Sequence, residues 1–398
     1  MAETVSHSLL LRNARLVLPE QVIEGGTVLI EQGRIVSISE LDPGRRVLSD
    51  SQLELENLTI YPGFIDVHIH GAAGVDMMEA SAADIAHVSQ FLATQGVTGW
   101  LPTLVPAPVE DYARSIKAID YAMQSHLGAR ILGVHYEGPF VNSAQCGALR
   151  AQFFRTFLGI NDLDDLPVFD YKAAKHLITL APEIAGGIEL VQELHDRGWV
   201  ISIGHTRASF DLLDKAFMAG ARHMTHFMNA MAPLHHRAPG PVGWGLSRDD
   251  VTCDMIADGI HLDTQTLRLL LKLKGPNRLS LISDAVAAAG MGDGEYEMWG
   301  DTITVKDGST SNTRGAIAGS VITMLDAVRV MRSQGVSEIN LAKMAATNPA
   351  RLLGIEKACG SIEEGKRADL VALDAEGRAV LTLIGGAIVF DARKNSDE

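Results

Sequence analysis

Eight short apolar runs, interleaved with longer amphipathic segments, constrain the fold of this chain more than any other feature. They read GFIDVHIH, TGWLPTL, ILGVHYE, LITLAPE, WVISIGH, ARHMTHF, TCDMIAD and RLSLISD. Each is strand-length and almost continuously apolar, as a strand buried on both faces of a parallel sheet must be. Several of the segments between them, among them AADIAHVSQFLATQG, VEDYARSIKAIDYAMQSH, GGIELVQELHDRG and SFDLLDKAFMAG, have helical periodicity. Eight such units predict an α/β fold, a (β/α)8 TIM-like barrel rather than an open sheet.

A barrel of about 250–300 residues leaves part of the 398-residue chain over. The ends account for it. LLLRNARLVL, GGTVLIEQGRIVSISE and SQLELENLTI read as short strands broken by turns, and ADLVALDAEGRAVLTLIGGAIVFD has the same texture at the far end. The expected division is a small β-sandwich domain from residues 1–58 plus 359–398, and a catalytic barrel from 59–358. The long spacer 141–175 is expected to be an active-site loop, and 295–318 an inserted hairpin.

Composition narrows the function. No apolar run approaches the ~20 residues of a membrane span. The start MAETVSHSLLLRN lacks a basic segment followed by a long apolar one, so no signal peptide is read and a cytoplasmic protein is expected. Cys146, Cys253 and Cys359 are too scattered for a disulfide framework or a Cys-type zinc site. A net charge of −15 with no basic block argues against nucleic acid and anionic membranes as partners. A few local cations would still suffice to bind a phosphate.

The chemistry shows in how the apolar runs end. The first ends in His68 and His70, two apart and so on one face. Others end in Glu137, His205, His226 and Asp284. A lone strand-end histidine is usually structural. Five strands ending this way in barrel order are different, because burying such groups is unfavourable unless they are paired or ligated. The catalytic end of a barrel is the C-terminal rim of its strands, and this nitrogen and oxygen set suits zinc with coordination positions left open. His87, His126, His176 and His195 have no such context and are expected on helices or the surface.

The stretches PGFIDVHIHG, GVHYEGPF, ISIGHT, THFMNAM, HHRAPGPVG, IADGIHLD, LISDA and AGSVITM, with TNPARLLG and GSIEEGKRADLV, resemble the amidohydrolase superfamily. Within it the chain is similar to the N-acetylglucosamine-6-phosphate deacetylase family over nearly its whole length. The resemblance implies a divalent metal, zinc foremost with iron as the alternative, held by Glu137, His205 and His226. With His68 and His70 retained, it implies one or two ions. Asp284 matches the catalytic carboxylate, itself near the metal. Ala148, Asn229, Ala230, Arg237, His261, Ile317, Ala318 and Gly319 match substrate contacts. Arg237 is implied to reach the neighbouring subunit's site in a homodimer. The implied reaction is hydrolysis of N-acetyl-D-glucosamine 6-phosphate to D-glucosamine 6-phosphate and acetate.

One departure stands out. Where the family usually has K-G-A-H, this chain has Cys146-Gly147-Ala148-Leu149, and Leu149 has no hydrogen bond to offer. The alternatives are the galactosamine epimer, another N-acyl sugar-phosphate amidohydrolase, or a non-catalytic relative. A cyclic-amide hydrolase fits less well, because LITLAPE carries no lysine to bridge metals.

Overall fold

A computed structural model describes residues 8–40, 49–125, 127–169, 171 and 173–395. The eight apolar runs are its barrel strands: β1 (Phe64–Ile69), β2 (Val97–Leu104), β3 (Gly133–Glu137), β4 (Lys175–Leu180), β5 (Val200–Ile203), β6 (His223–Met224), β7 (Thr252–Ile256) and β8 (Leu279–Ile282). Each pairs in parallel with the next. The ring shuts just past the strand ends. The Asp284 N–H donates to the His68 carbonyl at 3.0 Å and the His70 N–H to the Ala285 carbonyl at 2.8 Å. Closure therefore lies at the rim that carries the candidate ligands.

Helices return the chain between strands. In α1 (Ala82–Thr94), Ser81 and Asp84 cap each other's backbone N–H, which fixes the start. Ile85, Val88 and Leu92 recur at helical spacing and are buried. They join Trp100, Tyr136, Ile178 and Met255 in one apolar cluster between helices and strands. The barrel interior is more polar. His135 meets Thr179 at 2.8 Å, Thr179 meets Thr225 at 2.6 Å, and Thr225 meets Ser202 at 2.5 Å. Because β4 and β6 are not neighbours, the Thr179–Thr225 bond must cross inside the ring.

Both chain ends build a second sheet. Its order runs from Ala387–Asp391 through Ala379–Ile384, Leu370–Leu373, Thr59–Pro62, Ser8–Val17 and Val22–Glu31 to Arg34–Ser39, with Ser51–Glu54 beside Ser8–Val17. The Ile35 N–H donates to the Lys366 carbonyl at 2.9 Å, so the edge strand folds back on the segment before Leu370. Leu11, Leu16, Val28, Ile30, Ile60, Leu370 and Leu381 fill a core separate from the barrel's.

Two expectations need correction. The insertion after β8 is a three-stranded antiparallel sheet, Gly294–Met298, Asp301–Lys306 and Ser309–Ser311, rather than a hairpin. A second turn at Asp307 and Gly308, both at positive φ, doubles the chain back again. His176 is neither on a helix nor free on the surface. It opens β4 between Phe169 and Trp199, with ring centroids at 5.6 and 5.1 Å, and burial pulls it down to about 4. His87 and His195 are exposed on helices, and His126 lies outside the described residues. Among the described residues no helix is long and apolar enough to cross a membrane.

Lys274 ends α2 (Thr264–Lys274) and is fully buried. Its ammonium donates to the carbonyls of Gly245, Arg248 and Val251 at 2.6–2.8 Å. Lys274→Met leaves three buried acceptors without their donor and should destabilise the fold by about 3 kcal/mol. The check is a denaturant midpoint that falls at constant m-value; an unmoved midpoint would assign those carbonyls to water.

Candidate metal centre and cleft

The six strand-end residues converge. Glu137 Oε1 lies 2.9 Å from His226 Nε2, 3.0 Å from His205 Nε2 and 3.6 Å from His68 Nε2, while Oε2 lies 3.3 Å from His70 Nε2. Asp284 Oδ1 completes the cluster at 3.3 Å from His68 and 3.2 Å from His70. The backbone aims these groups. His205, His226 and Asp284 each follow a strand end and take positive φ, at 46°, 30° and 51°. That sparsely populated conformation turns the side chain from the strand into the mouth, and such strain concentrates at functional sites.

The residues fit a cation. The Nε2 atoms of His205 and His226 are 3.2 Å apart, and those of His68 and His70 are 3.1 Å apart. Around zinc with bonds of ~2.0–2.1 Å the tetrahedral edge is about 3.3 Å. Glu137 belongs to both sets, one with His68 and His70 and one with His205 and His226. His205 Nδ1 donates to the Gln145 carbonyl at 2.8 Å, which leaves its Nε2 lone pair for the centre. The Nδ1 atoms of His68, His70 and His226 have no such partner. Edge-on packing orients two of those rings, His68 on His135 at 4.6 Å and His70 on Trp299 at 5.1 Å.

Electrostatics point the same way. Burial pushes the Glu137 carboxyl up, but His68 and the bonds from His205, His226 and His70 outweigh it and hold Glu137 well below the carboxylate range. Burial alone would pull His70 and His226 down. Asp284 and Glu137 instead lift His70 to about 10, and Glu137 foremost lifts His226 to about 9. Two carboxylates thus draw positive charge into the cluster, which a divalent cation would provide in place of protons.

Supporting residues sit behind the ligands. Asp66, fully buried and raised by that burial to about 7, accepts the Ser283 hydroxyl at 2.5 Å and the N–H groups of His68 and Ser283 at 3.3 Å. It ties β1 to β8 beneath Asp284. Asp254 accepts the His226 N–H and holds His223 at 3.0 Å. Sequence reasoning missed Asp66 and His135, although each stands two residues before an expected ligand and so shares its face of the strand.

Above the centre opens a cavity of about 260 Å³. Ala148, Asn229, Ala230, His261, Ile317 and Gly319 line it as expected, together with His70, Glu137, His205, His226 and Asp284. His68 is fully buried and outside the cavity lining. Ala318 is buried too, packed in an apolar cluster instead of facing the cavity. Arg237 does not line it either: it is exposed, with Nη1 2.7 Å from His236 Nε2. The Asn229 Nδ2 is buried with no hydrogen-bond partner. His261 Nδ1 is engaged by Asp258 at 2.6 Å, which frees its other nitrogen. Burial opposes ionisation of Asp258, but the His261 bond outweighs it and holds the carboxyl below its usual value. Gly319 takes φ 60°, and a Cβ there would meet Val286 at 2.5 Å and the Asp284 carbonyl at 2.8 Å. Leu149 and Trp299 also line the cavity, and nothing in the sequence reading anticipated the tryptophan.

Comparison with known proteins agrees with this geometry. The amidohydrolase family profile matches residues 59–396. An N-acetylglucosamine-6-phosphate deacetylase of Bacillus subtilis (strain 168) is 35% identical, over 98% of this chain and 99% of that protein. An N-acetylgalactosamine-6-phosphate deacetylase of Escherichia coli O157:H7 is 34% identical, over 92% and 95%. A mutant N-acetyl-D-glucosamine-6-phosphate deacetylase of Mycobacterium smegmatis, solved in complex with N-acetyl-D-glucosamine-6-phosphate, superposes with a TM-score of 0.85 at 31% identity, over 96% and 99%.

Glu137 is the shared oxygen donor of both sets. Glu137→Gln should therefore weaken retention of added zinc by at least about tenfold, read as bound metal per chain after dialysis. Full retention would take Glu137 out of the centre.

Proposed function

The chain belongs to the amidohydrolase family, among its N-acetylglucosamine-6-phosphate deacetylases, and from that premise we propose that it hydrolyses N-acetyl-D-glucosamine 6-phosphate to D-glucosamine 6-phosphate and acetate. The observation that carries this reading is the cleft itself. A carboxylate, Asp284, beside a Glu137–histidine cluster shares one cleft with an unpartnered side-chain amide, Asn229, and a free imidazole nitrogen of His261.

A divalent cation held by Glu137, His205 and His226, with a second at His68 and His70, would supply Lewis acidity that makes water nucleophilic near neutral pH. Zinc is the metal this donor set favours, with iron as the alternative. The protein's own groups do the rest. Asp284 takes a proton from the attacking water as the new C–O bond forms. It returns that proton to the amide nitrogen as the C–N bond breaks, so one carboxylate serves as base and then acid. Asn229 Nδ2 and the free His261 nitrogen hold the sugar phosphate, with Ala148, Ala230, Ile317 and Gly319 shaping the walls. Leu149 shuts the cleft without polarising the carbonyl.

We further infer a homodimer in which Arg237 grips phosphate in the neighbouring subunit's cleft, which its exposure outside its own cleft supports. The separate apolar core of the terminal sheet supports residues 1–58 with 359–398 as one domain and the barrel as the other, with the strand Thr59–Pro62 added to the terminal domain because it lies in that sheet. Three free cysteines suit a reducing cytoplasm.

Metal-loaded protein should release acetate from N-acetylglucosamine 6-phosphate with kcat/KM of ~10⁴ M⁻¹s⁻¹ or more, and faster than from the galactosamine epimer. Preference for the epimer would instead move the protein toward its galactosamine-specific relative. Asp284→Asn should cut kcat by about 10³-fold while metal content holds; near-normal turnover in that variant would remove Asp284 from the proton transfers.

A further inference from the structure

Trp299 occupies a position that tryptophan should avoid. It and Gly300 form the two-residue connection between Gly294–Met298 and Asp301–Lys306, where Met298 pairs with Asp301. Both turn residues have positive φ, 56° and 71°. Such turns favour Asn, Asp or Gly, and a bulky residue there is strained. The strain is offset by what the side chain reaches. The indole lines the catalytic cavity and packs edge-on against His70, centroids 5.1 Å apart. Its N–H faces the Asp76 carboxyl without closing a full hydrogen bond.

The ring of strands sets the direction of the cleft. Asn229 and His261 stand on the loops after β6 and β7. Leu149 follows β3, diametrically opposite β7 in an eight-strand ring, and Trp299 follows β8 and touches β1's His70. Ala148 and Trp299 pack on one apolar cluster of Val286, Met298, Ile303 and Ala318, and Arg314 fastens the two lids by donating to the Ala148 carbonyl at 2.9 Å. Leu149 thus faces the β7 loop across the cleft, Trp299 covers the His70 side of the mouth, and together they form an apolar roof beside the metal cluster.

The hydrogen-bonding groups of Asn229 and His261 set how a substrate amide spans this cleft. Its sugar and phosphate lie toward Asn229 and His261, its carbonyl beside Asp284, and its nitrogen leads back to the sugar. The remaining substituent of the carbonyl carbon, the acyl chain, points to the roof. We propose that Trp299, with Leu149, forms the acyl-binding wall and limits the substrate to short N-acyl groups, acetyl above all. The inference rests on the deacylase reading and names the residue that sets its acyl specificity. Exclusion of one extra methylene by a close apolar wall is worth about 10- to 200-fold in kcat/KM.

The test compares N-acetyl-, N-propionyl- and N-butyryl-glucosamine 6-phosphate by release of the free amine, using the metal-loaded full chain. Trp299→Gly is the chosen variant because glycine suits the positive φ and should keep the turn; its melting temperature checks the fold. The propionyl-to-acetyl ratio of kcat/KM should rise at least about tenfold in Trp299→Gly, and Trp299→Phe should keep the wild-type order. An active wild type whose ratio is unchanged in Trp299→Gly would overturn the wall and leave Trp299 as an anchor for the lid. A wild type inert toward all three would overturn the deacetylase reading and the wall with it.

Discussion

One buried carboxylate faced by four imidazoles organises this molecule. Glu137 ends β3, and the Nε2 atoms of His68, His70, His205 and His226 lie within 3.6 Å of it. No apolar interior accepts such a cluster uncompensated. Compensation comes from each level of the fold. The barrel closes at the same rim through Asp284 and His70 backbone bonds. The inner hydroxyl chain of Thr179, Thr225 and Ser202 fixes the strands below. Asp66 and Asp254 then hold the backbone of His68, Ser283 and His226.

The lids above the cluster depart from that economy of polar pairing. The loop carrying Ala148 and Leu149 meets the sheet carrying Trp299 on one apolar cluster, and both bring apolar surface to the cavity above a site built of ions. Their joint effect is a cleft that combines the hydrogen-bonding groups of Asn229 and His261 with the hydrocarbon of Leu149 and Trp299. The floor of the barrel is a general tool for hydrolysing an amide. These two inserted segments decide which amide reaches it, as barrel loops commonly do.

Much of this was legible from pattern. The eight apolar runs located all eight strands, and the His, Glu and Asp residues at the ends of five of them located all six members of the cluster, because alternation along a strand and burial leave polar residues few reasons to be there. Other features needed coordinates. The exposure of Arg237 outside its own cleft has no local signal in the sequence, where only the family resemblance assigned it to the neighbouring subunit's site. Ala318 was expected in the wall and packs behind it. His176 lacked any local signal of the aromatic pair that encloses it, since Phe169 and Trp199 come from separate parts of the chain. Trp299 was hidden because a tryptophan before a glycine reads as a turn irregularity, and only the tertiary fold places that turn over His70.

The cluster is built to hold a divalent cation. Its carboxylates lift His70 to about 10 and His226 to about 9, so near pH 7.5 both imidazoles carry protons when no cation is bound. A protonated imidazole has no lone pair to give, so loading must expel those protons and affinity must fall as pH falls. Calorimetric titration of metal-stripped protein with zinc, in two buffers of different ionisation enthalpy, counts them. Tight binding is expected, with about two protons released at full loading. Absence of binding, or binding with no proton released, would contradict it.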